Sequence, residues 1–207
     1  MRTSYGIGRL DMDALGDDPL DALASWIHDA AASGMIEPNA MALASADEGG
    51  RPSVRMVLCK GVDARGVSFY TNLESRKGTE LAARPWAAAT FWWDRLERQA
   101  RVEGRVLRIP DDEADAYFAS RPRGSRVGAW ASEQSREIPD RATLERRAAE
   151  IEARFSGDAP VPRPPHWGGF VLSPTRIEFW QGRENRLHDR IRFEREPVRW
   201  TRVRLGP

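Results

Sequence analysis

Between residues 40 and 72 the chain alternates short apolar-rich runs with turn clusters, and this cadence limits its architecture more than any other feature. AMALASA (40–46) is followed by the turn DEGGRP (47–52), SVRMVLCK (53–60), the turn DARG (63–66) and VSFYTN (67–72). Short runs punctuated by Gly, Asp and Pro read as strands of an antiparallel sheet. A short helix is expected in SRKGTELAARP (75–85), then a strand in WAAATFWWD (86–94). RQARVEGRVLRI (98–109) reads as one strand, or as a pair broken near Gly104. Helices are expected in DDEADAYFASR (111–121) and DRATLERRAAEIEARF (140–155), and the Pro-rich GDAPVPRPPHWGG (157–169) as a stiff connector. Strands return in GFVLS, TRIEFWQ, RIRFERE and VRWTRVRL. The expected fold is therefore mainly β with α decorations, an antiparallel barrel-like core.

Ahead of this region, DDPLDALASWIHDAAASG (17–34) reads as a helix. Asp18 suits its cap, Pro19 its first position and Gly34 its stop. Leu20, Leu23, Trp26, Ile27 and Ala30 form its apolar stripe, which leaves His28 to solvent. Residues 1–17, rich in Gly and Asp, are expected to be irregular, with a single domain over 18–207. A chain of 207 residues supports one sizeable core, and neither an internal repeat nor a composition break divides it.

Charge narrows the range of partners. The 32 basic and 31 acidic residues leave a net charge of +1, which provides no broad field for nucleic acid or an anionic membrane. Neither a signal-peptide pattern nor an apolar run of membrane-spanning length is present, so the expected location is cytoplasmic. The one cysteine, Cys59, sits in an apolar run and reads as a small buried hydrophobe. Three histidines without H-E-x-x-H spacing predict no metal site. No nucleophile elbow, Walker loop or dinucleotide glycine fingerprint occurs. Of the eight tryptophans, Trp92 and Trp93 straddle the two faces of one strand.

Any cationic site must then be local, and three places qualify. In TNLESRKG, Ser75 is a plausible cap that puts Arg76 and Lys77 in the first helical turn. Cations there oppose the helix dipole unless an anion binds between them and the free N–H groups; the plain alternative is two solvated side chains. In SRPRGS, Arg121, Arg123 and Ser125 flank a proline that stops a helix, forming either a charged loop or a phosphate grip. In FWQGRENRLHDR, extended backbone would place Arg186, His188 and Arg190 on one face. Two neighbouring guanidinium groups should keep that histidine neutral near pH 7, either on a charge-protected edge strand or on a pocket wall.

RMVLCK, FYTN, SRKG, ERQ, SRPRGS, GAWASEQS, WGGF and IEFWQGRENRLHDR occur in this order, and RTSY stands at residues 2–5. Together they resemble the pyridoxine/pyridoxamine 5′-phosphate oxidases, FMN-dependent homodimeric enzymes of the FMN-binding split β-barrel type. The resemblance implies oxidation of pyridoxine or pyridoxamine 5′-phosphate to pyridoxal 5′-phosphate, with dioxygen as acceptor and peroxide as by-product. Carried over position by position, it implies that Arg55, Met56, Val57, Leu58, Cys59 and Lys60 line the flavin, with Lys60 also reaching substrate. Tyr70, Thr71, Arg76, Lys77 and Gln99 would hold the FMN. Gln134, Ser135, Trp180 and Arg190 would add contacts from the second subunit. Arg2 and Tyr5 would lie near the substrate, whose phosphate Tyr117, Arg121 and Ser125 would grip. Arg186 and His188 would sit over the substrate ring, with Arg186 positioning the reacting carbon.

Arg55 and Lys60 are five residues apart and would face opposite ways on a regular strand, so the strand must bulge or end before Lys60. Only Met1 precedes RTSY, so closure by a longer N-terminal arm is not expected. Rival readings are a flavin oxidase of the phenazine-biosynthesis type and a non-catalytic binder of flavin or pyridoxal phosphate. Retention of SRPRGS and QS speaks against the phenazine type, whose substrate lacks a phosphate.

Overall fold

The structure is a computed structural model, described here for residues 5–157 and 159–207. The strands are β1 (Ala40–Ala46), β2 (Pro52–Leu58), β3 (Gly61–Asp63), β4 (Gly66–Asn72), β5 (Trp86–Trp93), β6 (Arg98–Arg108), β7 (Trp167–Gln181), β8 (Asp189–Arg195) and β9 (Trp200–Arg204). The helices are α1 (Pro19–Ala32), α2 (Arg76–Ala83), α3 (Asp111–Ser120), α4 (Arg123–Ala131) and α5 (Arg141–Arg154). All strand pairs are antiparallel, in the order β2-β1-β5-β6-β7-β4-β3, with β8 on β7 and β9 on β8.

The 15-residue β7 explains why one sheet curls into two arms. Its first part pairs with β4 and its second with β8, while β6 runs along both. The register with β6 shifts between Glu103 and Gly104, opposite Pro174. Proline has no N–H to donate to the ladder, and a side chain at Gly104 would put Cβ 2.0 Å from the Ser173 carbonyl oxygen. GFVLS and TRIEFWQ are thus one bent strand rather than two, and RQARVEGRVLRI is one bulged strand.

Helix α1 begins as its sequence predicts, with the Asp18 carboxylate accepting from the Leu20 N–H at 2.8 Å. It buries Leu20, Leu23, Trp26 and Ala30 against the sheet, and Trp26 meets Phe179 edge-on at 4.9 Å. His28 is exposed. Trp93 is buried and Trp92 is exposed, as strand alternation requires. Leu10 and Leu15 join the same core, held by a 3-10 turn at Met12–Leu15.

Two elements escaped the sequence reading. Strand β3 is too short to carry a pattern. Helix α4 was expected as loop because Pro122 stops α3; it does so, but its extended backbone (φ −52°, ψ 142°) then starts a new helix at Arg123. No helix among the described residues is long and apolar enough to cross a membrane.

Candidate functional site

A cleft of about 950 Å³ opens between the end of β2, β4, the start of α2 and helix α4. Its floor follows from strand ends. Strand β2 stops at Leu58, and the next two N–H groups pair elsewhere, Cys59 to Asn39 and Lys60 to Ser68. That break lets Arg55 and Lys60 line one cavity despite their odd spacing. Met56, Val57 and Leu58 line it too, whereas the Cys59 side chain turns into the core, where burial pushes its thiol up to about 11.

Ser75 caps α2 by accepting from the Gly78 N–H, which sets Lys77 and Arg76 at the mouth of the helix. Gly78 is required here, since a Cβ would sit 2.1 Å from the Leu73 carbonyl oxygen. Lys77 is 7% exposed, and its Nζ donates to Gln134 Oε1 (2.8 Å), Thr71 Oγ1 (2.9 Å) and Ser75 Oγ (3.3 Å). All three acceptors are neutral. Burial lowers the Lys77 pKa to about 8; the Arg55 charge adds to the shift and Glu80 opposes it. The first-turn N–H groups of Arg76 and Lys77 have no acceptor among the described residues.

Beside them lies a carboxylate that sequence reasoning missed. Glu80 is buried and accepts from Ser45 Oγ (2.5 Å), Ser53 Oγ (2.6 Å), Arg76 Nε (2.8 Å) and Arg55 Nη2 (3.3 Å). Burial alone would raise its pKa, but the Ser45, Ser53 and Arg76 hydrogen bonds and the Arg55 charge outweigh it and hold Glu80 at about 2. The i,i+4 spacing of Arg76 and Glu80 was a legible signal. The burial of Glu80 under β1 and β2 was not.

The other wall is aromatic. Tyr70 stacks on Tyr117 (4.0 Å, 10°) and on Trp167 (5.3 Å, 7°). Arg121 lies over Trp167 at 4.9 Å and over Phe118 at 5.3 Å. It makes no ion pair among the described residues, and its buried Nη1 has no hydrogen-bond partner. Burial lowers its pKa. Ser125 lines the cleft from the first turn of α4, and Ser135 lines it with a left-handed backbone (φ 71°). The role of Trp167, within WGGF, was also missed.

The remaining predicted residues gather elsewhere. Ladder register aligns Trp92, Gln99, Trp180 and Arg190 in one row across β5, β6, β7 and β8. His188 packs on Trp180 at 4.6 Å, and Tyr5 meets both rings edge-on at 5.7 Å. None of these residues lines the cleft. Arg2 lies outside the described residues. Gln134 and Ser135, expected to add contacts from a second subunit together with Trp180 and Arg190, line the cleft of their own chain beside Lys77.

The shared face expected for Arg186, His188 and Arg190 is not formed. Asn185 and Arg186 both have positive φ (56° and 64°) in a 3-10 turn, and extended structure resumes only at Asp189. The turn is closed by the Arg183 N–H donating to His188 Nδ1 at 3.1 Å. His188 still titrates low, through burial first and the Arg186 charge second. Arg190 plays no part in that shift, because its Nε and Nη2 donate to buried Glu178 at 2.9 and 3.2 Å.

A family model described as pyridoxamine 5′-phosphate oxidase matches residues 27–155, and one for the pyridoxine 5′-phosphate oxidase C-terminal dimerisation region matches residues 167–207. The chain is similar to curated proteins named pyridoxine/pyridoxamine 5′-phosphate oxidase. The one from Cupriavidus necator is 56% identical, covering 100% of this chain and 97% of the relative. The one from Rubrobacter xylanophilus is 54% identical over 100% and 95%. Among solved structures, PhzG from Burkholderia lata in complex with tetrahydrophenazine-1-carboxylic acid is similar at TM-score 0.91 and 34% identity, covering 99% of this chain and 100% of that one. A related FMN-binding protein from Nostoc punctiforme shares the fold at TM-score 0.74 and 17% identity, covering 96% of this chain and 100% of that one. With a split-barrel sheet and two family models that between them span most of its length, this chain belongs to the pyridoxamine 5′-phosphate oxidase family.

Proposed function

We propose that the chain converts pyridoxine or pyridoxamine 5′-phosphate to pyridoxal 5′-phosphate, with FMN bound in the cleft, dioxygen as acceptor, and peroxide (with ammonia from the amine) released. The observation that carries this reading is two sets of cations in one cleft beside donors that have no acceptor among the described residues, the Arg76 and Lys77 backbone N–H groups and Arg121 Nη1. Arg76 and Lys77 stand at the start of α2, and Arg121 rests on aromatic rings. Each set suits a phosphate, one from the cofactor and one from the substrate. The donors fit FMN: among the described residues Lys77 lacks an anionic partner, and the N–H groups at the helix mouth lack an acceptor. Val57 and Leu58 supply apolar surface beside them.

Bound FMN would supply the redox chemistry by taking a hydride from the substrate C4′ and passing the electrons to dioxygen. The protein's share is binding, orientation and charge. Arg76, Lys77, Thr71 and Gln134 hold the cofactor phosphate end, and Arg55 through Lys60 run along the ring. Tyr117, Arg121 and Ser125 take the substrate phosphate. A second copy of the chain supplies the cross-strand row of Gln99, Trp180 and Arg190, and with it Arg186, His188 and Tyr5, to cover the ligands. Exposed Val54 and Met56 beside the cleft and exposed Trp92 and Leu187 near the row support that association. Because Nδ1 of His188 accepts from the chain, its neutral ring carries the proton on Nε2, ready to donate to a substrate oxygen or nitrogen.

The test is to purify the protein, record its flavin spectrum and add pyridoxine 5′-phosphate without oxygen. Bleaching of the visible flavin band supports the oxidase. A colourless protein that FMN cannot reconstitute overturns the reading. The likeness to PhzG favours a second reading, oxidation of a reduced phenazine carboxylate. Bleaching by that tricycle and not by pyridoxine 5′-phosphate would select it. The unpaired Arg121 Nη1 favours the phosphorylated substrate.

A further inference from the structure

Glu80 is a buried carboxylate bonded to two arginines that line the cleft, Arg55 and Arg76, and the proposed chemistry leaves it without a task. Its Oε2 takes three donors, Ser45 from β1 and Ser53 and Arg55 from β2, and its Oε1 takes Arg76 from α2. Four donors thus converge on one carboxylate, three of them crowding Oε2. Their effects on the two arginines differ. Arg55 keeps other anchors, the Leu43 carbonyl at 3.1 Å and Ser45 Oγ at 2.6 Å. Arg76, with a side chain 60% exposed, has Glu80 as its only side-chain partner among the described residues. Because the bond uses Nε, neither Nη group of Arg76 has a partner among the described residues, and Arg76 lines the cleft.

We propose that Glu80 is a positioning residue for the cofactor phosphate: it fixes the Arg76 guanidinium by its Nε edge so that the Nη pair meets the phosphate in a set orientation. The inference deepens the flavin reading above and rests on it. A long exposed arginine otherwise loses rotamer freedom on binding, and prior anchoring removes part of that cost. The opposing effect is charge. Glu80 repels an incoming phosphate, so removing it would tighten binding if electrostatics dominated. Oε2 is saturated by three donors and the group is buried under two strands, which places orientation above repulsion.

The experiment compares FMN with riboflavin, the same ring system without the phosphate, by flavin fluorescence titration of wild type, Glu80→Gln, Arg76→Ala and the double variant. Glu80→Gln keeps the side-chain shape. It should weaken FMN by about tenfold, the loss of one charge-assisted anchor, and leave riboflavin unchanged. In the double variant the Glu80→Gln change should add little to the loss from Arg76→Ala, because the one acts through the other. Equal weakening of both flavins, full additivity, or tighter FMN binding by Glu80→Gln would overturn the proposal. If Glu80→Gln fails to fold, Ser45→Ala loosens the same carboxylate and should give the same FMN-selective loss at smaller size. Wild type that binds neither flavin would sink the flavin reading itself, a result separate from any of these.

Discussion

In the cleft, among the described residues, Lys77 meets only neutral oxygens and Arg121 lies on rings with Nη1 unpartnered, whereas on the outward face of β7 and β8 Arg190 gives Nε and Nη2 to Glu178. Both regions are cation-rich and both were predicted to touch the same flavin. They differ in what has been done with the charge. The outward row has neutralised it and gained a stable ladder, and what it offers a ligand is chiefly aromatic surface. The cleft shares Glu80 between Arg55 and Arg76 but leaves Lys77 and Arg121 without an anionic partner among the described residues, which costs folding energy until an anion arrives. A site that binds phosphate strongly is, before binding, a site under electrostatic stress.

The sharpest way to break this contrast is at the two ends of the proposed site. Arg186→Ala should lower turnover by roughly a hundredfold or more, as loss of substrate orientation does, with FMN retained. Arg76→Ala should do the reverse, losing flavin first. Steady-state rates beside flavin titrations decide it, and equal flavin loss in both variants would erase the division.

Next in size, Lys77→Met should weaken FMN by about 30- to 100-fold, the loss of a buried cationic donor. The same change should raise the stability of the flavin-free protein by about 1–3 kcal/mol near pH 7, because a strained buried charge is removed. Thermal melts with and without FMN test both halves. A variant that loses stability in the flavin-free state would refute the stress argument.

The pH dependence follows from the same lysine. Its folded pKa of about 8 lies below the ordinary 10.5, so between those values the unfolded chain holds more protons than the folded one. Flavin-free wild type should therefore gain stability as pH rises across that window. FMN affinity should fall over the same range, by at most about tenfold per pH unit, as the cation is lost. Both slopes should flatten in Lys77→Met.

The smaller effects concern the outward row. Met56→Asp, 65% exposed beside the cleft, should shift the protein toward monomer in sedimentation without unfolding it, and flavin affinity should fall with the dimer. Arg190→Gln should cost about 1–2 kcal/mol, because Arg101 remains to pair the buried Glu178. The change of tryptophan fluorescence on adding FMN should shrink in Trp180→Phe; an unchanged response would detach the row from the site.

Much of this was legible. The α1 cap at Asp18, the α2 cap at Ser75, the end of β2 before Lys60 and the inward and outward halves of Trp92–Trp93 each depend on a few adjacent residues. Local chemistry decides such features, so local sequence reports them. Arg186, His188 and Arg190 show the limit. Spacing of two promises one face only if the backbone is extended, and nothing in RENRLHDR announces that Asn185 and Arg186 would turn left-handed, with the Arg183 N–H bound back to His188. Helix α4 was hidden for a related reason: a proline that ends one helix can also begin another.

By itself the sequence determined most of the elements, the capping and the chemical types offered to a ligand, because these arise from side chains and backbone within a few residues of one another. Only the tertiary structure decided which cations stayed free. Glu80 was claimed by β1, β2 and Arg76, and Glu178 by Arg101 and Arg190, while Lys77 and Arg121 were enclosed with neutral oxygens and rings. Ion pairing depends on which strands become neighbours and in what register. Those long-range choices set the electrostatics of the cleft.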